Sequence, residues 1–273
     1  MSTAVGDRVQ APFGARAARV TGTDRYGAYT VLRCADPAGP RPEAGQFYML
    51  SAGARWGGGQ AERPFLPRAF SVLRAPADSD ELQFMVEDVG PGTRRLCELN
   101  AGDDLSLVGP LGLGFKPPRA ARRPVLVGGG VGVAPLAIWQ DQLDWEATVL
   151  LGFRDAAHAP GAELLAGARV ATDDGSVGHR GLVTDLLEAE IDRDPRLEVY
   201  ACGPPPMLEA VRGLCAERNV PAQLALESGM ACGFGACFGC VVPTVDGYIR
   251  ICVDGPVIDA ARLETALTPG AGH

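Results

Sequence analysis

Cys232, Cys237, Cys240 and Cys252 are spaced C-x4-C-x2-C-x11-C, so half of the chain's eight cysteines fall between Met230 and Cys252. Thiolates bind iron or zinc, and the opening C-x4-C-x2-C run has the plant-type [2Fe–2S] ligand spacing. The run reads Met-Ala-Cys-Gly-Phe-Gly-Ala-Cys-Phe-Gly-Cys, with small residues between the ligands. Glycine lets the backbone fold tightly around a cluster and aim N–H groups at its sulfurs. Structural zinc prefers two C-x2-C pairs or cysteine–histidine mixtures. Here there is one C-x2-C, and His158, His179 and His273 all lie outside the window. Disulfides are the third reading, disfavoured in a chain of 273 residues long enough to stabilise itself without staples. Iron–sulfur leads, and zinc and disulfides stay as alternatives.

A second kind of chemistry is suggested by Gly128-Gly129-Gly130-Val131-Gly132-Val133-Ala134-Pro135, which follows a short apolar run and precedes a helical one. Backbone at Gly128, Gly130 and Gly132 can approach a pyrophosphate, and a helix start favours its charge. The run departs from the dinucleotide fingerprint, because the third glycine position is Val133, and a purely structural turn is the competing reading. Cys202-Gly203 closes another apolar run, and ligands of open α/β sheets gather at the carboxyl ends of strands. Taken alone, Cys202 reads as a small buried residue. Arg154, also just past a strand, is a candidate for meeting a 2′-phosphate. Earlier in the chain, Arg68-Ala69-Phe70-Ser71 offers a cation for phosphate, an aromatic ring for a ring system, and a hydroxyl. Gly90-Pro91-Gly92-Thr93 reads as a phosphate turn followed by a helical start. Singly, each has a plain structural explanation; their order along the chain carries the signal.

The elements that must position these residues fall into three regimes. Up to about residue 117 the chain has short alternating runs, Ala28–Cys34, Phe47–Ser51, Glu81–Val86 and Asp104–Val108, punctuated by Gly, Pro and Asp. Such runs predict an antiparallel barrel or sandwich. Lys116-Pro117-Pro118-Arg119 reads as a linker. Strands are then expected at Val125–Val127, Ala147–Gly152, Arg169–Thr172 and Leu197–Cys202. Helices are expected up to about Leu143, over Glu163–Ala166, over Asp185–Glu190 with Thr184 as N-cap, and over Pro205–Arg218. This alternation predicts a parallel sheet covered on both faces. The remainder carries the cysteines, with a hairpin expected from Val241–Val245 and Tyr248–Cys252 through Asp246-Gly247. The domains are expected at residues 1–118, 119–224 and 225–273.

A net charge of −8 without a basic patch argues against nucleic acid as a partner. Hydrophobic residues make up 47% of the chain, as in soluble globular proteins, yet no run of about 18 apolar residues occurs. The opening MSTAVGDRVQ has no apolar core, so neither a signal peptide nor an anchor is expected. A reducing, cytoplasmic compartment follows as the expectation, and it keeps thiols available for a cluster.

The order Arg-x-Phe-Ser, Gly-Thr, glycine turn, Cys-Gly and cysteine cluster resembles the ferredoxin–NAD(P) reductase superfamily over essentially the whole chain. Within it, the chain is most similar to electron-transfer subunits of class B dihydroorotate dehydrogenases. Arg68–Ser71 and Gly92-Thr93 resemble the two flavin motifs, and Gly128–Pro135 the pyridine-nucleotide turn. Thr172–Ser176, Gly181–Asp185 and Glu227–Gly233 resemble further segments of these subunits. Phe70 departs from the tyrosine of many reductases, keeping ring packing and losing the hydroxyl.

The resemblance implies an antiparallel β-barrel flavin domain, an α/β parallel-sheet nucleotide domain and a small C-terminal iron–sulfur segment. It implies FAD, a [2Fe–2S] cluster and NAD(H) as cofactors. Arg68 would hold the FAD pyrophosphate, Ser71 would bond near flavin N5, and Ala69 and Phe70 would lie against the flavin. Met85, Val86 and Glu87 would line it through main chain, and Cys202-Gly203 would sit by the nicotinamide. Cys232, Cys237, Cys240 and Cys252 would bind the cluster. Hydride exchange with FAD and single-electron transfer to the cluster would link pyridine nucleotide to an FMN-containing dihydroorotate dehydrogenase catalytic subunit, in a heterotetramer of pyrimidine biosynthesis. Phe234 and Phe238 would form an apolar docking patch or pack inward over the cluster. Alternative readings are a reductase feeding an oxygenase, a hydrogenase or a glutamate-synthase-like partner, and a zinc-stapled nucleotide-binding sensor.

Overall fold

The computed structural model describes residues 15–53, 56 and 66–268. The N-terminal run MSTAVGDRVQ and His273 lie outside them. Six strands come first: β1 (Arg16–Tyr26), β2 (Tyr29–Ala35), β3 (Phe47–Ser51), β4 (Arg68–Arg74), β5 (Glu81–Glu87) and β6 (Asp104–Leu111). A helix, α1 (Pro91–Cys97), lies between β5 and β6. They close an antiparallel barrel in the order β1-β2-β5-β4-β3-β6, with β6 returning to pair with β1. Closure leaves no free edge. Alternation in β1 buries Ala18 and Val20 inside while their neighbours face water. β2 is buried on both faces because nucleotide-domain residues cover its outer side, as in the edge-to-face contact of Tyr29 with His158 at 5.7 Å.

The linker leads into β7 (Arg123–Gly129), a 3-10 turn at Gly130–Gly132 and α2 (Val133–Gln142). β8 (Thr148–Phe153), β9 (Ala168–Thr172), β10 (His179–Arg180), α3 (Val183–Arg193), β11 (Leu197–Cys202), α4 (Pro205–Glu217) and β12 (Ala222–Ala225) follow. The cysteine-bearing remainder adds the hairpin β13 (Val241–Thr244) and β14 (Gly247–Arg250), α5 (Ile251–Asp254) and β15 (Val257–Asp259). The large sheet runs β10-β9-β8-β7-β11-β12-β15, parallel except where β15 joins β12 antiparallel. The C-terminal segment is thereby stitched to the nucleotide domain's edge. It also reaches the barrel end, where Leu113 bridges Pro256.

One contiguous core spans barrel and nucleotide domain. Phe115, Trp139 and Tyr200 meet with ring centroids 5.4 to 5.7 Å apart, and the Tyr200 hydroxyl donates to the linker carbonyl of Lys116. Buried Glu198 accepts from Arg119 N–H and from Gln223, while the Gln223 amide binds both polar backbone groups of Lys116. These bonds satisfy groups whose burial without partners is costly. They also hold the linker in one path.

Several local expectations shift. The helix expected at Glu163–Ala166 is a 3-10 turn at Ala159–Leu164. Helix α3 starts two residues earlier than a Thr184 cap requires: Leu182 is its N-cap, and the Asp185 carboxylate accepts the Leu182 N–H. Cys252 lies in α5 and not in the second strand of the hairpin, because Arg250 ends β14 and its N–H bonds to Asp254. The hairpin turn is Val245-Asp246, closed by Thr244 opposite Gly247.

Candidate functional site

A cleft of about 470 Å³ opens where the barrel, the glycine turn and the start of the cysteine segment meet. Its barrel wall carries Arg68, Ala69, Phe70 and Ser71 from β4, and Met85 and Glu87 from β5. The pairing Tyr48↔Phe70 fixes the β4 register. Alternation along β4 gives Arg68 and Phe70 one face, with both half-buried. Val86 is completely buried in the core, so only its main chain is available to a ligand. Thr93 lines the cleft from α1. Val131 and Ala134 enter from the nucleotide side, and residues 226–231 from the segment leading to the cysteines.

Arg68 leans towards the start of α1. A side chain at Gly92 would begin 3.1 Å from Arg68 Nε and 3.1 Å from the Trp56 ring. The guanidinium lies 5.8 Å from the Trp56 ring centroid and donates to Leu66 O. Gly92 is thus buried beneath the two side chains, while Gly90 of the same turn faces open space, with nothing within 4 Å of a Cβ there. Thr93 belongs to the turn read from sequence as Gly90-Pro91-Gly92-Thr93. Its hydroxyl accepts the N–H groups of Val89 and Gly90 and donates to Gly90 O. Thr93 therefore shapes the turn, and the hydroxyl is already engaged.

The glycine turn and the end of β11 form a second, contiguous part. Neither Gly128, Gly130, Gly132, Cys202 nor Gly203 lines the cleft above. They pack backbone against backbone beside it. A Cβ on Gly132 would stand 2.2 Å from the Cys202 carbonyl oxygen, so only glycine fits. Cys202 is buried, and its thiol is held well above the usual range by that burial and by the Glu227 carboxylate. Glu227 stands in the cleft wall, where burial pushes its carboxyl up to about 7. Sequence reasoning did not single out Glu227, because nothing local to it marks a residue whose surroundings come from other segments. Arg154 does not present a free cation for a 2′-phosphate: it bonds Glu87 at 2.8 Å and His158 at 2.9 Å. It thus links the nucleotide domain to the cleft's rim.

The four cysteines of the C-terminal segment sit in two pairs. Cys240 and Cys252 Sγ are 3.1 Å apart, and the Cys237 side chain bonds Cys232. Among the described residues, no three side chains of His, Cys, Asp or Glu meet at one point as ligands of a single metal ion. The donor set still suits a [2Fe–2S] cluster, which takes four thiolates and spreads them over two irons. Backbone N–H groups already point at the sulfurs. Burial raises the Cys232 thiol, but N–H groups of Cys237, Phe234 and Ala236 outweigh it and bring the thiol to about 7. Gly235 N–H points at Cys252, whose thiol burial and neighbouring Cys240 push up to about 12. Gly239 N–H lies 3.5 Å from Cys237 Sγ.

The loop rests on the outside of the barrel. Gly233 has φ +79°, and a Cβ there would fall 2.6 Å from Met49 Cγ on β3. Met49 pairs with Ala69 of the cleft wall, so the cysteine loop and the cleft share a strand ladder. Phe234 and Phe238 are 48% and 62% exposed, which favours the outward of the two arrangements open from sequence.

Residues 227–264 match the family described as "Iron-sulfur cluster binding domain of dihydroorotate dehydrogenase B". The chain is 35% identical over 222 residues to a Clostridium acetobutylicum protein named "Dihydroorotate dehydrogenase B (NAD(+)), electron transfer subunit", covering 80% of this chain and 85% of that one. A Geobacillus kaustophilus protein of the same name is 39% identical over 236 residues, covering 81% and 86%. Among solved structures, an NADH-dependent reduced ferredoxin-NADP oxidoreductase superposes with a TM-score of 0.77 at 23% identity, covering 93% of this chain and 92% of that one. The ferredoxin reductase of a carbazole 1,9a-dioxygenase gives 0.63 at 21% identity, covering 76% and 66%. At these identities the two structures bear on the fold alone.

Proposed function

This chain belongs to the family of dihydroorotate dehydrogenase B electron transfer subunits, and on that premise we propose that it moves electrons between dihydroorotate dehydrogenase chemistry and NAD(H). The observation that carries the reading is the shared cleft. Arg68–Ser71, Val131 and Ala134 beside the glycine turn, and residues 226–231 leading to the cysteine loop line one cavity, which brings the residues expected to hold flavin next to those expected to hold the nucleotide and the cluster. Bound FAD would convert the paired electrons of a nicotinamide into the single electrons that a [2Fe–2S] centre takes.

The chain's own residues do the rest. Arg68, beside Gly92, would hold the FAD pyrophosphate, and Ser71 would offer its hydroxyl near flavin N5. Phe70 and Ala69 pack on the ring system, and the Met85-Val86-Glu87 main chain borders it. Gly92 and Thr93 set the turn behind the phosphates. Gly128, Gly130 and Gly132 admit the nicotinamide dinucleotide pyrophosphate, and Cys202-Gly203 borders the nicotinamide. A thiol kept protonated by burial does not compete as a nucleophile there. Cys232, Cys237, Cys240 and Cys252 ligate the cluster, within a loop that already aims N–H groups at sulfur.

On this reading residues 1–118 bind FAD, 119–224 bind NAD(H) and 225–273 carry the cluster. The electron-transfer subunit pairs with a catalytic subunit. We assign that partner as FMN-containing, oxidising dihydroorotate to orotate within a heterotetramer of pyrimidine biosynthesis in the cytoplasm. Among the described residues no helix is long and apolar enough to cross a membrane.

The test is purification of the chain with its native catalytic subunit, followed by cofactor extraction and NADH addition. FAD, about two irons per chain and bleaching of flavin and cluster absorbance by NADH are expected. A colourless preparation holding zinc and no iron would end the reading. Iron and flavin that support NADH oxidation with a different acceptor, and none with dihydroorotate chemistry, would reassign the partner.

A further inference from the structure

Arg250 is the last residue of β14, two positions before Cys252, and it is half-buried. Its Nη1 donates to the Gly235 carbonyl at 2.9 Å. Its guanidinium carbon also lies 5.2 Å from the centroid of the Phe238 ring. Phe238 is a non-glycine residue held at φ +58°, in the left-handed region that L residues rarely adopt. One side chain outside the cysteine loop thus grips two points within it, one on each side of Cys237.

The carbonyl that Arg250 binds belongs to the Gly235–Ala236 peptide. The N–H of that same peptide, on Ala236, points at Cys232 Sγ. The neighbouring N–H, on Gly235, points at Cys252 Sγ. A charged donor on a carbonyl polarises the peptide and strengthens the bond made by the N–H at its other end. Bonds to ligand sulfurs stabilise the more negative, reduced form of an iron–sulfur centre and so raise its potential. Arginine is suited to this position because its planar fork keeps its charge, holds a carbonyl and stacks on an aromatic ring together.

We propose that Arg250 is a positioning residue that tunes the cluster's reduction potential, acting through the Gly235–Ala236 peptide on the Cys232 sulfur and through Phe238 on the loop's fold. The inference rests on the [2Fe–2S] reading given above. Arg250 makes no contact with substrate in this role. It sets how readily the cluster accepts an electron, and with that the direction in which the relay is poised.

The test uses the complex of both subunits, with Arg250→Met, Arg250→Gln and Arg250→Lys beside wild type. Iron per chain and the electron paramagnetic resonance signal of the reduced protein are recorded first, then the midpoint potential by redox titration of that signal. Wild type without iron or without a reduced-cluster signal sinks the cluster reading itself. With that reading intact, Arg250→Met is expected to keep its iron and shift the reduction equilibrium about tenfold against the reduced form, which is 59 mV for one electron. Arg250→Gln, which can still donate to the carbonyl but has no charge, should fall between Met and wild type. Phe238→Leu, which leaves the carbonyl bond in place, should move the potential less than Arg250→Met. An unchanged potential in every variant that holds iron overturns the proposal. Loss of iron from all three Arg250 variants, the charge-keeping lysine included, also overturns it, because the residue would then build the loop and not tune it.

Discussion

Gly132 and Cys202 touch through their backbones: a Cβ on Gly132 would lie 2.2 Å from the Cys202 carbonyl oxygen and 2.4 Å from its carbonyl carbon. Parallel pairing of β7 with β11 brings Gly128 opposite Cys202 and sets up this contact. The glycine run is therefore fixed by the strand end beside it as much as by any phosphate. Its turn and the Cys202-Gly203 bend move together or not at all.

Gly132→Ala should separate them. Backbone cannot yield as a flexible side chain does, and overpacking of this kind costs about 1–3 kcal/mol. The barrel cleft is built from other residues, so flavin content should stay near wild type. NADH-driven flavin reduction should slow by about tenfold or more, while reduction by dithionite keeps its rate. Stopped-flow bleaching with the two reductants separates these outcomes. Equal slowing with both would place the damage at the flavin and count against the nucleotide assignment.

Arg68 stands beside Gly92 and over Trp56. If it carries the FAD pyrophosphate, Arg68→Gln removes a charge-assisted hydrogen bond. Such bonds are worth about 1.5–3 kcal/mol, or roughly 10- to 150-fold in affinity. Titrating deflavinated protein with FAD, followed by flavin fluorescence, measures this. Iron content should not change, because the cysteine loop rests on Met49 and not on Arg68. Undiminished FAD affinity would remove Arg68 from the site.

Glu227 makes a prediction about pH. Burial in the cleft wall raises its carboxyl to about 7, above the ordinary 4.5. The folded protein then binds this proton more tightly than the unfolded chain does. Stability from the neutral form is complete below about 4.5 and is lost as pH rises through 7. Glu227→Gln stays neutral throughout. Its melting temperature should fall less than that of wild type between about pH 5 and pH 8, measured on the two proteins side by side. Parallel curves would mean that the carboxylate is solvated in the folded state.

The barrel and the parallel sheet were legible because their signals are local. Alternation marked Phe47–Ser51 and Glu81–Val86, the latter one residue short of the strand, and Leu197–Cys202 begins and ends where expected. Residues whose role depends on distant neighbours were not legible. Glu227 is defined by a cleft assembled from the barrel and the glycine turn. Arg154 was a candidate for a 2′-phosphate by its place after a strand, whereas its pairing with Glu87, far away in sequence, could not be read from the chain. Thr93 was legible as part of a turn, but the competition for its hydroxyl from Val89 and Gly90 was not. The family resemblance puts Cys252 among the expected cluster ligands, yet its helix depends on the Arg250 N–H meeting Asp254.

Phe234 and Phe238 project from the cysteine loop with 48% and 62% of their surfaces exposed, and Tyr248 of the neighbouring hairpin is 79% exposed. Large apolar side chains beside the proposed cluster suit burial against a partner, where aromatic anchors carry much of the affinity. Phe238 also stacks with Arg250, so changing it would disturb the loop. Phe234→Asp is the cleaner probe, since it places a charge in the interface. Loss of an anchor costs about 2 kcal/mol or more, about 30-fold in affinity. The variant should elute apart from the catalytic subunit on gel filtration at concentrations where wild type co-elutes, with iron and flavin retained. Co-elution like that of wild type would move the docking surface elsewhere on the chain. Loss of iron from the separated variant would instead assign Phe234 to shielding the cluster.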